Sequence, residues 1–216
     1  MAEFAIIGLG RFGRAVARSL VREGQAVLAV DVDAERLAQI ADEVDATSRT
    51  DTTDEDAMAA LRLDRMSSVV VTIGSRATEA SLLTVAILRE LGVPRIVARA
   101  FDERHARVLL AIGANEVMNP EEDIGESLAR QLARPGILGQ LDLGSERIAE
   151  VEAPEAHVGS TLAELDLAGR HRLAVLLIRR GDVLLPNPSE QERIVTGDVL
   201  VVVGEEQAIR SLADLR

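Results

Sequence analysis

The sequence predicts an α/β protein in which a doubly wound, mostly parallel sheet is followed by a small α+β lobe. Strand and helix patterns alternate from the first residues to Met118, which is typical of a parallel sheet covered by helices. A glycine-rich turn, Gly8 to Gly13, stands between the first strand and the first helix. From Glu146 onward strands dominate, which indicates a second and different architecture.

The first lobe contains six predicted strands, most of them short apolar runs that end at a turn or a polar residue, with a weaker pattern in the third. They cover Phe4–Ile7, Ala26–Val30, Val44–Thr47, Val69–Ile73, Arg95–Arg99 and Glu116–Met118. Helical periodicity fills the intervals, at Arg11–Glu23, Ala34–Glu43, Thr53–Leu61, Thr78–Leu91 and Asp102–Ile112. We therefore expect a sheet buried between two helical layers, with a doubly wound strand order.

The second lobe is smaller and mixes strands with short helices. A helix at Glu121–Ala133 is ended by the breaker Arg134-Pro135-Gly136. The later strands are predicted at Arg147–Val151, Leu173–Arg179, Val183–Leu185 and Val199–Val203, with short helices at Thr161–Leu165 and Glu205–Leu212. We assign residues 1–142 to the first domain, including the linking helix from about Glu121, and residues 143–216 to the second.

The composition of the chain argues against several classes of binding partner and of site. The formal net charge of −12 and the aromatic content of 1% argue against nucleic acid, which requires basic surfaces and stacking side chains. With no Cys, disulfides and thiolate metal sites are excluded. The apolar runs are far shorter than the roughly 20 residues of a membrane helix, and a first strand at Glu3 leaves no room for a signal peptide. We expect a cytoplasmic protein.

The turn Gly8-Leu9-Gly10-Arg11-Phe12-Gly13 predicts a nucleotide site in a Rossmann-like lobe. The first glycine permits the tight turn, the second lets a phosphate approach the backbone, and the third lets helix and strand pack closely. The helix that follows offers unpaired N–H groups and a positive end to that phosphate. Phe12 belongs to the same turn and is counted with the site.

Asp31 ends the second strand eighteen positions after Gly13, where a carboxylate accepts hydrogen bonds from ribose hydroxyls. Its charge disfavours the 2′-phosphate of NADP, and we interpret the nearby Arg36 as an exposed helix residue. Gly74 and Ser75 close the fourth strand and are further candidates. Asp51 and Thr52 follow the third strand, where they either border the adenine or simply cap the next helix.

Arg11 has two interpretations. It is either a solvated side chain in the first helical turn or a cation that meets the terminal phosphates of a nucleotide.

No catalytic group is evident, which favours a sensor over an enzyme. The His residues are His105, His157 and His171, and we expect all three on the surface. There is no Tyr for a Tyr–Lys pair, and no spacing of His, Asp or Glu resembles a metal cluster. A hydride-transferring enzyme would need an acid or base near its nicotinamide.

The ordered motifs of the chain resemble the RCK/KTN regulators of bacterial potassium uptake, in particular the Ktr/Trk peripheral subunits. The segments that carry the resemblance are Ile6–Gly13, Leu28–Asp31, Asp51–Asp54, Ala98–Ala100, Ile112–Asn115, Asn119–Glu121 and Thr196–Gly204. No single segment is specific, but their combined order is, and it extends over the whole chain.

The resemblance implies homodimers that assemble into an octameric ring beneath an integral-membrane potassium-translocating subunit. It implies that ATP and ADP favour different ring shapes, that Arg11 meets ATP phosphates across a subunit interface, and that Arg99 lies near ribose and phosphates. Glu121 matches an acid associated with a divalent cation, although it is equally a first-turn helix acid. A Trk-like preference for NAD(H) and a small NAD-dependent oxidoreductase are the alternatives.

Some relatives bind cyclic di-AMP in the second lobe through an Asp-x-Arg segment. The corresponding stretch here is Asp166-Leu167-Ala168-Gly169-Arg170, in which the Arg is displaced. This departure puts a cyclic dinucleotide in doubt.

Overall fold

The computed structural model describes residues 3–215, so Met1, Ala2 and Arg216, at the ends of the two predicted domains, lie outside the described residues. The chain divides into two compact units, the first ending at Ile124 and the second beginning at Gly125. Within residues 3–215, no helix has both the length and the apolar character needed to cross a membrane.

The first unit is built on a six-stranded parallel sheet. Its strands are β1 (Glu3–Ile7), β2 (Ala26–Asp31), β3 (Ala46–Arg49), β4 (Ser68–Val71), β5 (Ile96–Arg99) and β6 (Glu116–Met118). Their order is β3-β2-β1-β4-β5-β6, and every neighbouring pair is parallel. This is the doubly wound order, so the predicted fold class of this lobe is confirmed.

Helices follow each of the first five strands. They are α1 (Arg11–Arg22), α2 (Ala34–Ala38), α3 (Glu55–Ala60), α4 (Thr78–Glu90) and α5 (Glu103–Ile112). Neighbouring strand residues enter different apolar clusters: Ile7 packs in one with Leu88, whereas Ile6 packs in the other with Val27. The sheet is therefore buried on both faces, as its near-continuous apolar strands predict.

The connection after β2 differs from the expected single helix. α2 ends at Ala38, a 3₁₀ turn covers Ala41–Glu43, and β3 begins at Ala46 instead of Val44. Between the two, the Ile40 N–H donates to the Leu37 carbonyl at 3.1 Å and the Ile40 side chain is fully buried. The helix therefore ends five residues before Glu43, and Ile40 packs in the same apolar cluster as Val27.

The second unit contains a five-stranded antiparallel sheet. Its strands are β7 (Ile137–Leu143), β8 (Glu146–Glu152), β9 (Ala174–Arg180), β10 (Val183–Pro186) and β11 (Asp198–Gly204), in the order β10-β9-β11-β8-β7. The helices are α7 (Leu162–Leu165), α8 (Leu167–His171) and α9 (Glu206–Ala213). The aliphatic core includes Val151, Ile178 and Leu200. The predicted small α+β lobe is confirmed.

Two elements of this lobe were not expected, β7 and α8. β7 pairs with β8 through a hairpin whose Gly144 has a φ of 82°, so residues 137–143 belong to the second sheet. α6 (Pro120–Ala133) precedes that hairpin, and the division between the units falls within this helix. The sequence-based boundary at residues 142 and 143 stays a prediction about where the functional domains divide.

Candidate nucleotide site

A cavity of about 550 Å³ lies at the carboxyl ends of the first sheet. Its residues come from the ends of β1, β2, β4 and β5 and from the loops that follow β3 and β4. β1 lies between β2 and β4, so the cavity occupies the point where the strand order reverses. Ligands of open α/β sheets bind at this point.

The three glycines of the first turn have distinct steric surroundings. Gly8 has a φ of 92°, and a Cβ there would lie 3.0 Å from the Ile73 nitrogen. A Cβ on Gly13 would overlap the Gly8 carbonyl oxygen and lie 2.5 Å from Thr72 Oγ1. Around Gly10, by contrast, no heavy atom of the described chain lies within 4 Å of such a Cβ. Gly10 therefore leaves open the side from which a phosphate would approach.

Thr72 fixes this turn from the neighbouring strand, and sequence reasoning did not find it. Its hydroxyl donates to the Gly8 carbonyl at 2.5 Å and lies 3.1 Å from the Ile7 carbonyl oxygen. Arg14 adds a hydrogen bond from its guanidinium to the Leu9 carbonyl at 2.6 Å. The only sequence signal for Thr72 is a polar residue at the end of an apolar strand.

Asp31 is buried at the end of β2, with 4% of its side chain exposed. The Leu9 N–H donates to its Oδ2 at 2.6 Å, and the Asp33 N–H donates to its Oδ1 at 2.9 Å. Each carboxylate oxygen has two lone pairs, so one acceptor position on each oxygen remains for a ribose hydroxyl. The carboxylate therefore holds the glycine turn as well as facing the cavity.

Arg36 also lines the cavity, although we expected only an exposed helix residue. Its side chain is half exposed, with its guanidinium 3.6 Å from Asp31 Oδ2 and 3.4 Å from an oxygen of Asp33. A cation at this position partly offsets the negative charge that Asp31 presents to the ribose end of the site.

Asp51 and Thr52 line the cavity, and neither caps the next helix. Asp54 caps α3 instead, because its side chain accepts a hydrogen bond from the Ala57 N–H at 3.0 Å. Hydrogen bonds from the backbone and hydroxyl of Thr53 hold the pKa of Asp51 below its ordinary value. Thr52 is buried, and its hydroxyl lies 2.7 Å from that of Thr84.

Gly74, Ser75 and Arg76 form the wall that follows β4. The predicted pair, Gly74 and Ser75, leads into a 3₁₀ turn (Ser75–Ala77) just before α4. Arg76 was not predicted. It is exposed and pairs with no carboxylate among residues 3–215.

Arg99 closes the cavity at the end of β5 and links it to α6. Its guanidinium carbon lies 5.7 Å from the centroid of the Phe12 ring, within the range of a cation–π contact. The same guanidinium pairs with Glu121 in the first turn of α6. Glu121 is thus engaged by a cation of its own chain, and within residues 3–215 no group of three His, Asp or Glu side chains could hold a metal ion.

Arg11 lies outside the cavity of its own chain. It is the first residue of α1, its side chain is exposed, and it makes no ion pair with any other residue that the structure describes. Phe12 and Gly13 likewise support the turn and do not line the cavity.

The expectation of surface histidines is wrong for two of the three. His105 and His157 are 4% and 9% exposed. The His105 ring stacks on Phe101 with centroids 4.1 Å apart, and burial lowers the pKa of both histidines. Neither lines the cavity, so the described residues place no imidazole beside a bound nucleotide.

The fold and the cavity define a protein of the nucleotide-binding Rossmann-like class with a small second lobe. The TrkA-N domain family matches residues 4–120, and the TrkA-C domain family matches residues 147–216. The chain belongs to this family of TrkA-N and TrkA-C domain proteins, which confirms the resemblance drawn from the motifs.

Curated relatives are similar over nearly the full chain. The Ktr system potassium uptake protein C of Bacillus subtilis is 35% identical over 203 residues, which cover 94% of this chain and 91% of the relative. The Ktr system potassium uptake protein A of Vibrio alginolyticus is 35% identical over 208 residues, covering 96% and 94%.

Solved structures share the fold. The GsuK channel matches with a TM-score of 0.72 at 20% identity over 99% of this chain, and this chain spans 39% of the channel chain. A GsuK structure bound to NAD gives 0.68 at 19% identity, covering 99% of this chain and 39% of that one. Another, bound to ADP, gives 0.54 at 18%, covering 60% and 34%.

Proposed function

We propose that this chain is a cytosolic, nucleotide-sensing regulatory subunit that gates a potassium transporter or channel. The observation that carries the proposal is the cavity at the Gly8–Gly13 turn, in a chain of the family that includes the Ktr potassium uptake proteins. Gly10 leaves room for a phosphate, Asp31 offers acceptors to a ribose, and Arg36, Arg76 and Arg99 surround the space with positive charge.

ATP and ADP are the proposed ligands, and the difference between them is proposed to act through Arg11. A ligand shifts a conformational equilibrium only by its differential affinity for the two states. Arg11 is exposed and lies outside the cavity of its own chain, which supports a contact with the phosphate of a nucleotide on a second subunit. One additional charge-assisted contact in the ATP state is enough to favour one ring shape.

A divalent cation near Glu121 is part of the proposal. Arg99 neutralises Glu121 in this chain, and a nucleotide phosphate would compete for the same guanidinium. Once Arg99 turns to the phosphate, the Glu121 carboxylate is available to a cation. Its remaining ligands would have to come from the phosphates or from a second copy of the chain, since no metal-binding group of three exists within residues 3–215.

The proposed assembly is a homodimer that forms an octameric ring beneath an integral-membrane potassium-translocating subunit, at the cytoplasmic face. α6 supports a self-association surface. Ile124, Leu128 and Leu132 repeat at intervals of four on this helix and are 68%, 52% and 73% exposed. An exposed apolar stripe of this kind is typical of a helix that packs against a partner.

A Trk-like subunit that prefers NAD(H) is the second candidate, supported by the extent of the cavity from Asp31 to Arg99 and by a channel of the same fold bound to NAD. The proposal includes no enzymatic activity. No His or Tyr among residues 3–215 lines the cavity, and the regulatory function needs no acid or base there.

Cyclic di-AMP is not assigned to the second lobe. The Asp166 side chain accepts a hydrogen bond from the Gly169 N–H at 3.0 Å and thereby caps α8.

Calorimetric titration of the purified protein with ATP, ADP and NADH tests the proposal. Arg11→Ala should weaken ATP by about tenfold, the value of one charge-assisted contact, and leave ADP nearly unchanged. Arg22→Ala, at the other end of α1, is the matched control. Equal loss for ATP and ADP would remove the role of Arg11, and tight NADH binding with hydride transfer to a carbonyl would overturn the regulatory function.

A further inference from the structure

A second cavity, of about 110 Å³, lies within the second unit and has no part in the nucleotide site. Side chains from the later half of α6, from β7 and β8, and from α9 surround it. Ile137, Leu138 and Ile209 form its apolar part. The cavity is large enough for a small polyatomic ion.

The charge around this cavity is opposite to that of the chain. The protein has 36 Asp plus Glu against 24 basic residues, all of which are Arg. The residues that line the cavity include Arg130, Arg134, Arg147 and Arg210 but only one acid, Glu206. Four arginines against one acid give the lining of this cavity a positive balance, which raises the local potential for anions despite the acidic surroundings.

Glu206 offsets the positive charge of two of these arginines. Arg147 Nη1 lies 2.8 Å from a Glu206 oxygen, and its Nε lies 2.6 Å from Asp142, which does not line the cavity. Arg210 pairs with the same Glu206 one helical turn away. The single acidic side chain of the cavity therefore occupies the position that an anion would take between Arg147 and Arg210.

The positive charges of Arg130 and Arg134, at and just after the end of α6, are offset to a smaller extent. Arg130 lies 3.4 Å from Glu126, with both side chains about half exposed or more. Arg134 has no carboxylate within salt-bridge distance among residues 3–215. A planar guanidinium of this kind can bind two oxygens of a phosphate side by side.

We propose that this arginine-lined cavity of the second unit binds a small phosphate-bearing anion. Arg130 binds it from α6, and Arg134 binds it from the residue that follows this helix. Arg147 on β8 and Arg210 on α9 bind it as well, and Glu206 competes with it for these last two. The site is separate from the nucleotide cavity, so the inference does not depend on the proposed function.

Calorimetric titration of the full chain with inorganic pyrophosphate tests this assignment. Arg134→Gln should weaken pyrophosphate by about tenfold, the value of one charge-assisted contact. Arg134 is half-buried but pairs with no carboxylate among residues 3–215, so this substitution removes no ion pair from the fold. Glu206→Gln removes the competing carboxylate and should tighten pyrophosphate several-fold. A merely structural ion-pair network would give destabilisation without that gain in affinity.

Two control variants separate this cavity from other arginines. Arg76→Gln alters the nucleotide cavity, and Arg170→Gln alters an exposed arginine of the second unit outside the site. The pyrophosphate binding that depends on Arg134 should be the same in both control variants as in the natural protein. Binding that is insensitive to Arg134→Gln, affinity that fails to rise in Glu206→Gln, or no pyrophosphate binding at all would overturn the proposal.

Discussion

Both carboxylate oxygens of Asp31 accept a backbone hydrogen bond, from Leu9 and from Asp33. The first of these donors belongs to the glycine turn, so Asp31 and the glycine turn are one connected structure. A substitution at Asp31 should therefore change the stability of the first unit as well as ligand affinity.

Asp31→Asn retains one acceptor oxygen and places an amide NH₂ where the second oxygen was. The backbone N–H that loses its acceptor should lower the free energy of unfolding by about 1–3 kcal/mol, measured in urea. If Asp31 also reads the ribose, the natural protein should bind ATP more tightly than 2′-deoxy-ATP or 3′-deoxy-ATP. Asp31→Asn should lose that preference.

Asp33→Asn is the matched control, because Asp33 caps α2 and does not line the cavity. A natural protein that binds ATP and both deoxy analogues equally would contradict ribose recognition and leave Asp31 a role in the turn alone.

At the residue scale, sequence reasoning worked best where the chemistry is local. Gly8, Gly10 and Asp31 could be placed because a fixed spacing along the chain fixes their positions around one turn. Thr72 and Arg76 line the same cavity but were missed, because no periodicity or spacing separates a useful polar residue from an ordinary one.

The glycine turn and α1 form one element. Because Gly13 is crowded and Gly10 is not, substitutions at these two glycines should affect stability and nucleotide binding differently. Gly13→Ala places a methyl group against the Gly8 carbonyl and Thr72, where overpacking costs about 1–3 kcal/mol or more. Gly10→Ala meets no neighbouring atom, and its φ of −62° suits alanine.

We expect Gly13→Ala to lower the urea midpoint of the first unit and Gly10→Ala to leave it nearly unchanged. Gly10→Ala should nonetheless weaken ATP and ADP by more than about tenfold in calorimetry, because the methyl group occupies the side open to a phosphate. Unaltered nucleotide affinity in Gly10→Ala would contradict the proposed position of the phosphate.

A buried ion pair ties two strands of the second sheet together. Arg180 on β9 binds both oxygens of Asp198 on β11 at 2.9 Å, and the Asp198 side chain is fully buried. Burial opposes the ionisation of Asp198, yet the hydrogen bonds from Arg180 and the Val195 N–H hold its pKa below the ordinary value. The pair therefore stabilises this sheet fully at pH values above the ordinary Asp pKa. The contribution is lost as the pH falls through the lowered pKa of Asp198.

At the element scale, most strands of the first lobe could be predicted because they are short apolar runs. β7 was missed for a physical reason. It follows the breaker Arg134-Pro135-Gly136, contains Gly139, and leaves Leu141 and Leu143 exposed on an edge strand. β7 is held as a strand by its pairing with β8, and a local sequence pattern does not reveal such a pairing.

The whole molecule has two separate sources of stability. The first unit is held by aliphatic clusters on the two faces of its parallel sheet, and the second by its own cluster around Val151 and Ile178. The residues of these clusters carry no aromatic rings, so the apolar packing of each unit is almost entirely aliphatic. Two such cores are expected to unfold in separate steps.

Scanning calorimetry should accordingly resolve two transitions, and ATP or ADP should raise only the one that belongs to the first unit. A ligand at one hundred times its Kd adds about 2.7 kcal/mol to the state that binds it, which is a shift of several degrees. Gly10→Ala should abolish the shift without moving the other transition. A single transition, or an ATP-dependent shift of both, would mean that the two units unfold as one cooperative body, and nucleotide binding would then be coupled directly to the stability of the second lobe.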